Sequence, residues 1–290
     1  MMGQAHNLET ARSIAELRAV EAGWRKAGLS IGLVPTMGGL HEGHIALVRR
    51  ALAVCERVVV TIFVNPRQFG SADDLARYPR REDEDREKLA AAGAHLVFIP
   101  PVAEMYPDGA ATIVSVAGPL TETLDAVHRP GHFDGVATIV AKLFLQSLPD
   151  VAFFGEKDFQ QLQIVTRMAR DLDIPVRIEP VATVRDADGL ALSSRNLNLS
   201  PDERRVAAAF PAALFAAAEQ IVRGGDIAAT LGEARRAILR AGFDKVDYIE
   251  LADAETLHPV HALGPGPARL FGAAWVGPTR LIDNLPLASS

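Results

Sequence analysis

Val34-Pro35-Thr36-Met37-Gly38-Gly39-Leu40-His41-Glu42-Gly43-His44 is the stretch on which the reading of this chain turns. An apolar run at 29–34 leads into it, and a helical pattern, Ile45, Leu47, Val48, Ala51 and Leu52, leads out. A strand that breaks into a glycine-rich turn and then opens a helix makes an anion site. The first N–H groups of the helix have no partners within it, and the helix dipole places partial positive charge there. His41 and His44 lie three residues apart at that helix start, so they share one face. Two imidazoles beside a phosphate-shaped turn point to chemistry on a phosphate. A zinc site needs at least a third ligand, and this spacing is not the His-x-x-x-His of metalloproteases. Two solvated loop histidines are the plain alternative, but the glycines favour a backbone that approaches a ligand closely.

Outward from the turn, strands and helices alternate. Residues 13–27 read as a helix with Ile14, Leu17, Val20 and Trp24 on one stripe. The run 57–64 is almost continuously apolar, as in a strand buried on both faces of a parallel sheet, and it ends in the polar loop Asn65-Pro66-Arg67-Gln68-Phe69-Gly70. A charged helix is expected at 80–92, a buried strand at 95–99 and a further short strand at 111–116. The loop at 128–133 opens a helix over 135–146. A strand at 151–154 then runs into the turn Gly155-Glu156-Lys157-Asp158, a helix to 172 and a strand at 176–184. This alternation predicts an α/β fold, a Rossmann-like, doubly wound parallel sheet with ligands beyond the strands' carboxyl ends.

The pattern changes after Asn196. Ser200-Pro201-Asp202-Glu203 combines an N-cap, a first-turn proline and a capping box. An alanine-rich helix to about 222, a second helix at 227–241 and strands at 246–251, 269–276 and 279–282 follow, with no helix between the last two. That is α+β composition. The expected division is a first domain at 1–185 and a smaller α+β C-terminal domain at 186–290.

Composition narrows the functional classes. The 290 residues are 49% hydrophobic and 23% charged, a soluble globular profile, and the net charge of −6 lacks the basic footprint of a nucleic-acid binder. The one cysteine, Cys55, excludes an internal disulfide and falls in an apolar helical pattern, as a small core residue would. The N-terminus has no basic segment followed by an apolar one, and the most lipid-like stretch, 206–218, is short and interrupted by Pro211. A cytoplasmic protein without nucleic-acid or membrane partners is expected.

Two further constellations carry chemistry. Lys157 beside a helix start is a point charge suited to a phosphate, and Asp158 is placed as acidic residues at strand ends are when they accept ribose hydroxyls. An ordinary helix-opening turn reads equally well. Leu192-Ser193-Ser194-Arg195-Asn196, preceded by Asp186-Ala187-Asp188-Gly189, offers two hydroxyls and a guanidinium to one polyphosphate, or is a solvated interdomain loop. No Gly-x-x-x-x-Gly-Lys-Ser/Thr occurs, and no Gly-x-Gly-x-x-Gly follows the first strand, so neither a P-loop nor a dinucleotide fingerprint is present.

Taken together, these stretches resemble a known family. Residues 36–44 resemble the His-x-Gly-His motif of the nucleotidylyltransferase superfamily. Phe63-Val64-Asn65-Pro66-Arg67-Gln68-Phe69, Arg129-Pro130-Gly131-His132-Phe133, Phe154-Gly155-Glu156-Lys157-Asp158-Phe159-Gln160-Gln161 and Ser193-Ser194-Arg195-Asn196 are similar, in order and spacing, to the pantothenate synthetases. The resemblance spans about residues 10–285. It implies an AMP-forming ligase that joins pantoate to β-alanine through a pantoyl-adenylate, with ATP as substrate and Mg2+ as its companion. It also implies a homodimer whose C-terminal domain closes over the site. His41 and His44 would contact the phosphates, with His44 as proton donor. Lys157, Ser193, Ser194 and Arg195 would hold the triphosphate. Met37, Gly38, Gly155, Glu156, Asp158, Leu192 and the backbone at Val184 would complete the ATP site. Met37, Gln68 and Gln161 would form the pantoate pocket, Gln68 would also help place β-alanine, Tyr78 and Arg129 would line the same cavity, and Asp85 is offered as a metal ligand.

Four positions depart from the family's usual pattern: Gly39, Phe159, Leu192 and the Leu124-Asp125-Ala126 run. None removes a phosphate or carboxylate contact; they bear on loop detail. Two rival readings are a nucleotidylyltransferase that stops at AMP transfer, with no amine requirement, and a silent ATP-binding regulator. Intact His41, His44, Lys157 and Arg195 speak against the second.

Overall fold

A computed structural model describes residues 8–287; residues 1–7, most of the N-terminal stretch read above for a leader, and 288–290 lie outside the described residues. The chain divides into two compact units. The first comprises Met1–Val116, Arg129–Glu156 and Ile164–Ala182, and the second Ala117–His128, Lys157–Gln163 and Thr183–Ser290.

The first unit is built on a six-stranded, wholly parallel sheet. In chain order its elements are β1 (Glu9–Ala11), α1 (Ile14–Lys26), β2 (Ile31–Thr36), α2 (Glu42–Val54), β3 (Arg57–Ile62), α3 (Ala72–Arg77), α4 (Glu82–Ala92), β4 (Leu96–Phe98) and α5 (Val102–Met105). After α6 (Asp125–His128), which belongs to the second unit, come α7 (His132–Ser147), β5 (Val151–Gly155), α8 (Phe159–Asp171) and β6 (Arg177–Val181). The strand order is β1-β4-β3-β2-β5-β6. From β2 the chain winds outward through β3 and β4, then returns to β5 and β6 on the other side. The order therefore reverses between β2 and β5, and in such sheets the crevice at the carboxyl ends of these two strands is where ligands bind. Val34, Val58, Val60, Val97 and Phe153 are fully buried, as strands covered on both faces require.

Two local expectations are corrected. Residues 111–116 form no strand. The edge beside β4 is taken by β1, a three-residue strand too short to show a period, in register Glu9 with Leu96. Val114 instead gives its N–H to the Thr138 hydroxyl on α7 (2.9 Å). Cys55 is a buried free thiol at the end of α2, touching the space beside Gly32 on β2.

The second unit carries α9 (Pro201–Ala207), α10 (Ala209–Val222), α11 (Ile227–Arg240) and an antiparallel sheet of β7 (Lys245–Asp253), β8 (Ala268–Val276) and β9 (Thr279–Leu287), in that order. The capping box at Ser200 and Glu203 forms as the sequence predicts. The single alanine-rich helix expected after it is broken at Ala208, because Pro211 has no N–H to give to Ala207. By length and composition the stretch Pro201–Val222 is apolar enough to cross a membrane. Its Ala207, Phe210, Leu214, Ala217 and Ile221 are buried in the unit's own core with Ile238, Leu251, Leu270 and Leu285.

Candidate active site

The histidine turn is built by three long-range clamps. β2 ends at Thr36, whose hydroxyl donates to the Thr61 carbonyl (2.6 Å) and accepts the Gly38 N–H (3.2 Å). The chain then turns through Gly38 and Gly39 at φ of 83° and 64°, backbone that glycine takes without steric cost. A side chain at Gly38 would also meet Ile62 at 3.0 Å and the Asp85 carboxylate at 3.1 Å. Asp85, on α4, is 1% exposed, and its two oxygens accept the Gly39 and Leu40 N–H groups at 2.8 and 2.7 Å. Hydrogen bonds to a carboxylate are roughly twice as strong as neutral ones. Lys88, one turn on, donates to the Leu40 carbonyl (2.7 Å). Helix α4 thus grips the turn from below, and the carboxylate that the resemblance offers to a metal has both oxygens engaged by backbone.

His41 is the N-cap of α2. Its Nδ1 accepts the Gly43 N–H (3.2 Å), and Nδ1 of His44 accepts the His41 N–H (3.3 Å). The usual capping box pairs a Ser or Thr with a Glu or Gln; here two imidazoles perform it. The exchange has a chemical consequence. A neutral imidazole that accepts at Nδ1 carries its proton on Nε2. Both rings are therefore Nε2–H donors at the positive end of a helix, half-buried, with centroids 4.1 Å apart and planes tilted by 43°.

A second set of side chains surrounds Gln68, which is buried on the 3-10 turn Pro66–Gln68. Its amide nitrogen lies 3.0 Å from the Met37 sulfur, and its amide oxygen accepts from Asn65 (3.0 Å). Asn65 also donates to the Gly135 carbonyl (3.0 Å) and accepts from the Tyr106 hydroxyl (2.8 Å). His132 donates through Nδ1 to the Gln68 carbonyl (2.7 Å) and accepts the Arg129 guanidinium at Nε2 (2.9 Å). At Gly135 a Cβ would stand 2.3 Å from the Arg67 carbonyl, so α7 packs against this turn closely enough to admit glycine alone. Tyr78 reaches back to the Gly38 carbonyl (3.4 Å). The first unit thus joins Met37, Gly38, His41, His44, Gln68, Tyr78, Asp85 and Arg129 in one connected set. Gly155 and Glu156 lie at the end of β5, the neighbour of β2 in the sheet.

The remaining expected residues belong to the second unit. Lys157 and Asp158 sit on a 3-10 turn that opens α8, with their charged groups 3.5 Å apart, and Gln161 follows, half-buried, in the first turn of the helix. Val184 accepts the Leu192 N–H (2.9 Å), and Arg185 pairs with Ala191 across a tight ribbon turned by Gly189. Arg204 binds Asp186 (2.9 Å) and Asp188 (2.5 Å) on that ribbon; its hydrogen bonds hold the Asp188 carboxyl below the usual range. The ribbon delivers Ser193, which caps a short 3-10 turn by accepting the Arg195 N–H (3.2 Å), with Ser194 buried and Arg195 half-buried. Three positioning residues, Thr36, Asn65 and His132, are absent from the expected set. All stand inside the motif stretches, which is the only signal they leave; the contacts of His132 with Gln68 and of Asn65 with Gly135 span 64 and 70 residues.

The family described as pantoate-β-alanine ligase matches residues 9–286. A pantothenate synthetase from Chelativorans sp. is 58% identical over 277 residues, 96% of this chain and 97% of that protein. Among solved structures, pantothenate synthetase from Thermus thermophilus superposes with a TM-score of 0.88 at 47% identity, covering 97% of this chain and 100% of that one. The pantoate-β-alanine ligase of Francisella tularensis, complexed with β-γ ATP and β-alanine, gives 0.82 at 33% identity over 96% of this chain and 97% of its own.

Proposed function

The chain belongs to the pantoate–β-alanine ligase family, and on that premise we propose that His41 and His44 stabilise the first of its two chemical steps. The enzyme condenses pantoate with β-alanine at the expense of ATP, through a pantoyl-adenylate, and releases AMP. In the first step a pantoate carboxylate oxygen attacks the α-phosphorus and the bond to pyrophosphate breaks. In the second the β-alanine amine attacks the acyl carbon, and the bond from that carbon to AMP breaks. Negative charge grows on phosphoryl oxygens during the first step, so fixed donors aimed there lower its barrier without reorganising. The observation that carries this assignment is the pair of Nε2–H donors forced by the imidazole capping box at the head of α2. His44 is the donor the scheme relies on most: its Nε2–H gives a hydrogen bond to a phosphoryl oxygen and keeps its proton.

Lys157, Ser193, Ser194 and Arg195 hold the triphosphate, Gly155, Glu156 and Asp158 face the nucleoside, and Val184 and Leu192 line the base. Met37 and Gly38 also face the nucleotide, Met37, Gln68 and Gln161 receive pantoate beside the phosphates, Gln68 also places β-alanine, and Tyr78 and Arg129 line the same cavity. An amide suits both substrates because it offers donors and an acceptor at once. Mg2+ arrives on the nucleotide, held by phosphate oxygens and water. Each Asp85 oxygen accepts a backbone N–H, and Lys157, Ser193, Ser194 and Arg195 would hold the phosphates that carry the ion. The enzyme works as a cytoplasmic homodimer, a reading supported by the family resemblance.

AMP release measured with each substrate omitted in turn tests the assignment. Release requires pantoate and β-alanine together; equal release without β-alanine would leave only a nucleotidylyltransferase. His44→Ala should lower kcat on the order of 100- to 1000-fold, and full turnover in that variant would remove His44 from the mechanism.

A further inference from the structure

The small sheet of the second unit buries three polar side chains side by side: Asp283 (3% exposed), Asn284 (3%) and Arg269 (6%). Such groups are costly inside a core unless each is matched, and here each is matched to something outside the sheet. Asp283 takes the Arg185 guanidinium on both oxygens, at 2.6 and 2.8 Å, and Arg185 in turn donates to the Gly189 carbonyl (2.9 Å). That grip closes the ribbon from Val184 to Leu192 that delivers Ser193, Ser194 and Arg195. Asn284 donates through its amide nitrogen to the backbone carbonyl of Lys157 (2.8 Å) and accepts from Arg269 at its amide oxygen. Arg269 lies over the Phe159 ring, 3.8 Å from its centroid, so the turn is gripped again two residues past Lys157.

Adjacent residues of a strand point to opposite faces. Asp283 and Asn284 therefore let one peptide of β9 hold a different element on each side, and the Asn284 N–H is itself bound to the Asp283 carboxylate (2.7 Å). We propose that Asp283 and Asn284 are a positioning pair that sets the Lys157 turn in register with the Ser193–Arg195 loop, so that both reach the same triphosphate. The inference rests on the assignment of Lys157 and Arg195 to ATP; neither Asp283 nor Asn284 is asked to touch it.

Asn284→Asp isolates the contact. It keeps the size of the side chain and the oxygen that Arg269 uses, and replaces the N–H donor facing the Lys157 carbonyl by a second oxygen. Asp283→Asn does the same on the other face, weakening the hold on Arg185. Each variant should raise the KM for ATP about tenfold, the loss of one buried hydrogen bond. The KM values for pantoate and β-alanine should stay within about twofold of the parent, while Tm falls in both variants because each leaves a buried charge unmatched. An unchanged KM for ATP in both variants overturns the proposal. So does a comparable rise of all three KM values, which marks a merely structural role. Lys157→Met, assayed in parallel, separates this from the underlying assignment. If it leaves ATP kinetics untouched, the role of Lys157 fails; if it impairs them while Asn284→Asp does not, only the positioning pair fails.

Discussion

At the residue scale, the site is a set of donors whose direction is decided by their neighbours. The spacing of His41 and His44 is visible in the sequence, as are the glycines between them and β2. Which nitrogen of each ring carries the proton is not visible, since it follows from backbone N–H groups that meet Nδ1 only once the helix has formed. Asp85 is the plainest case of a residue whose packing role the sequence hides. The resemblance offers it as a metal ligand; the fold makes it a buried clamp on Gly39 and Leu40, 46 and 45 residues away. Asp85→Asn would turn one acceptor into an NH2 group facing a backbone N–H. Turnover should fall about 10- to 100-fold as the turn loosens beneath the histidines, with the far-ultraviolet circular dichroism spectrum kept. Unchanged turnover would show that the turn holds its shape without the clamp. Gly135→Ala tests the neighbouring wall. A methyl group 2.3 Å from the Arg67 carbonyl forces α7 off the Gln68 turn, and the overpacking should cost about 1–3 kcal/mol of stability and raise the KM for pantoate.

At the element scale, the helices and strands obeyed their local signals wherever one element could satisfy them alone. The capping box at Ser200 starts its helix on the expected residue, and a second box, at Ser13, opens α1 where the apolar stripe places a helix. Pro211 splits its helix because the missing N–H acts within one turn, and the strand expected at 111–116 is absent because β1 occupies the edge it would need. One contact between elements sets a pH dependence. Glu21 of α1 is fully buried against the end of α7, where Ser147 donates to it and Arg25 stands 3.8 Å away. Burial pushes its carboxyl up from 4.5 to about 7, against the weaker opposing pull of Ser147, Arg25 and Arg18. The folded state thus holds a proton that the unfolded chain gives up near 4.5. Stability from this group is full below pH 4.5, falls as pH rises toward 7, and is lost above it. The difference is on the order of 2–3 kcal/mol. Glu21→Gln should flatten that slope and leave the protein more stable than the parent at pH 8. Denaturant melts at pH 5 and pH 8 would show it; parallel slopes in the two proteins would exclude Glu21 as the cause.

At the scale of the whole molecule, the second unit is not a simple C-terminal piece of chain. Asp125, from the early segment, accepts from Tyr248 (2.6 Å) and Arg280 (2.8 Å), and Gln160 ties that segment to α8 through Leu120, Thr123 and Asp125. Burial pushes the Asp247 carboxyl up, but Lys245, Arg280 and Trp275 outweigh it and hold it at about 2. A fragment of residues 186–290 would strip Asp125 from Arg280 and Phe159 from Arg269. Removing one partner of a buried charge costs about 3–5 kcal/mol, a large share of the 5–15 kcal/mol by which domains are stable. That fragment should show no cooperative thermal transition by circular dichroism; a sharp melt at the parent's Tm would refute the dependence. The sequence by itself determined the α/β alternation, the helix start at Ser200, the His41–His44 turn and the family, because each is written in spacings of a few residues or in ordered motifs. Only the tertiary structure decided what holds those pieces in place. Asp85 under the turn, His132 behind Gln68, Asp125 beneath Arg280 and Asn284 at Lys157 act across 45 to 155 residues. No local period records a contact made by folding partners so far apart.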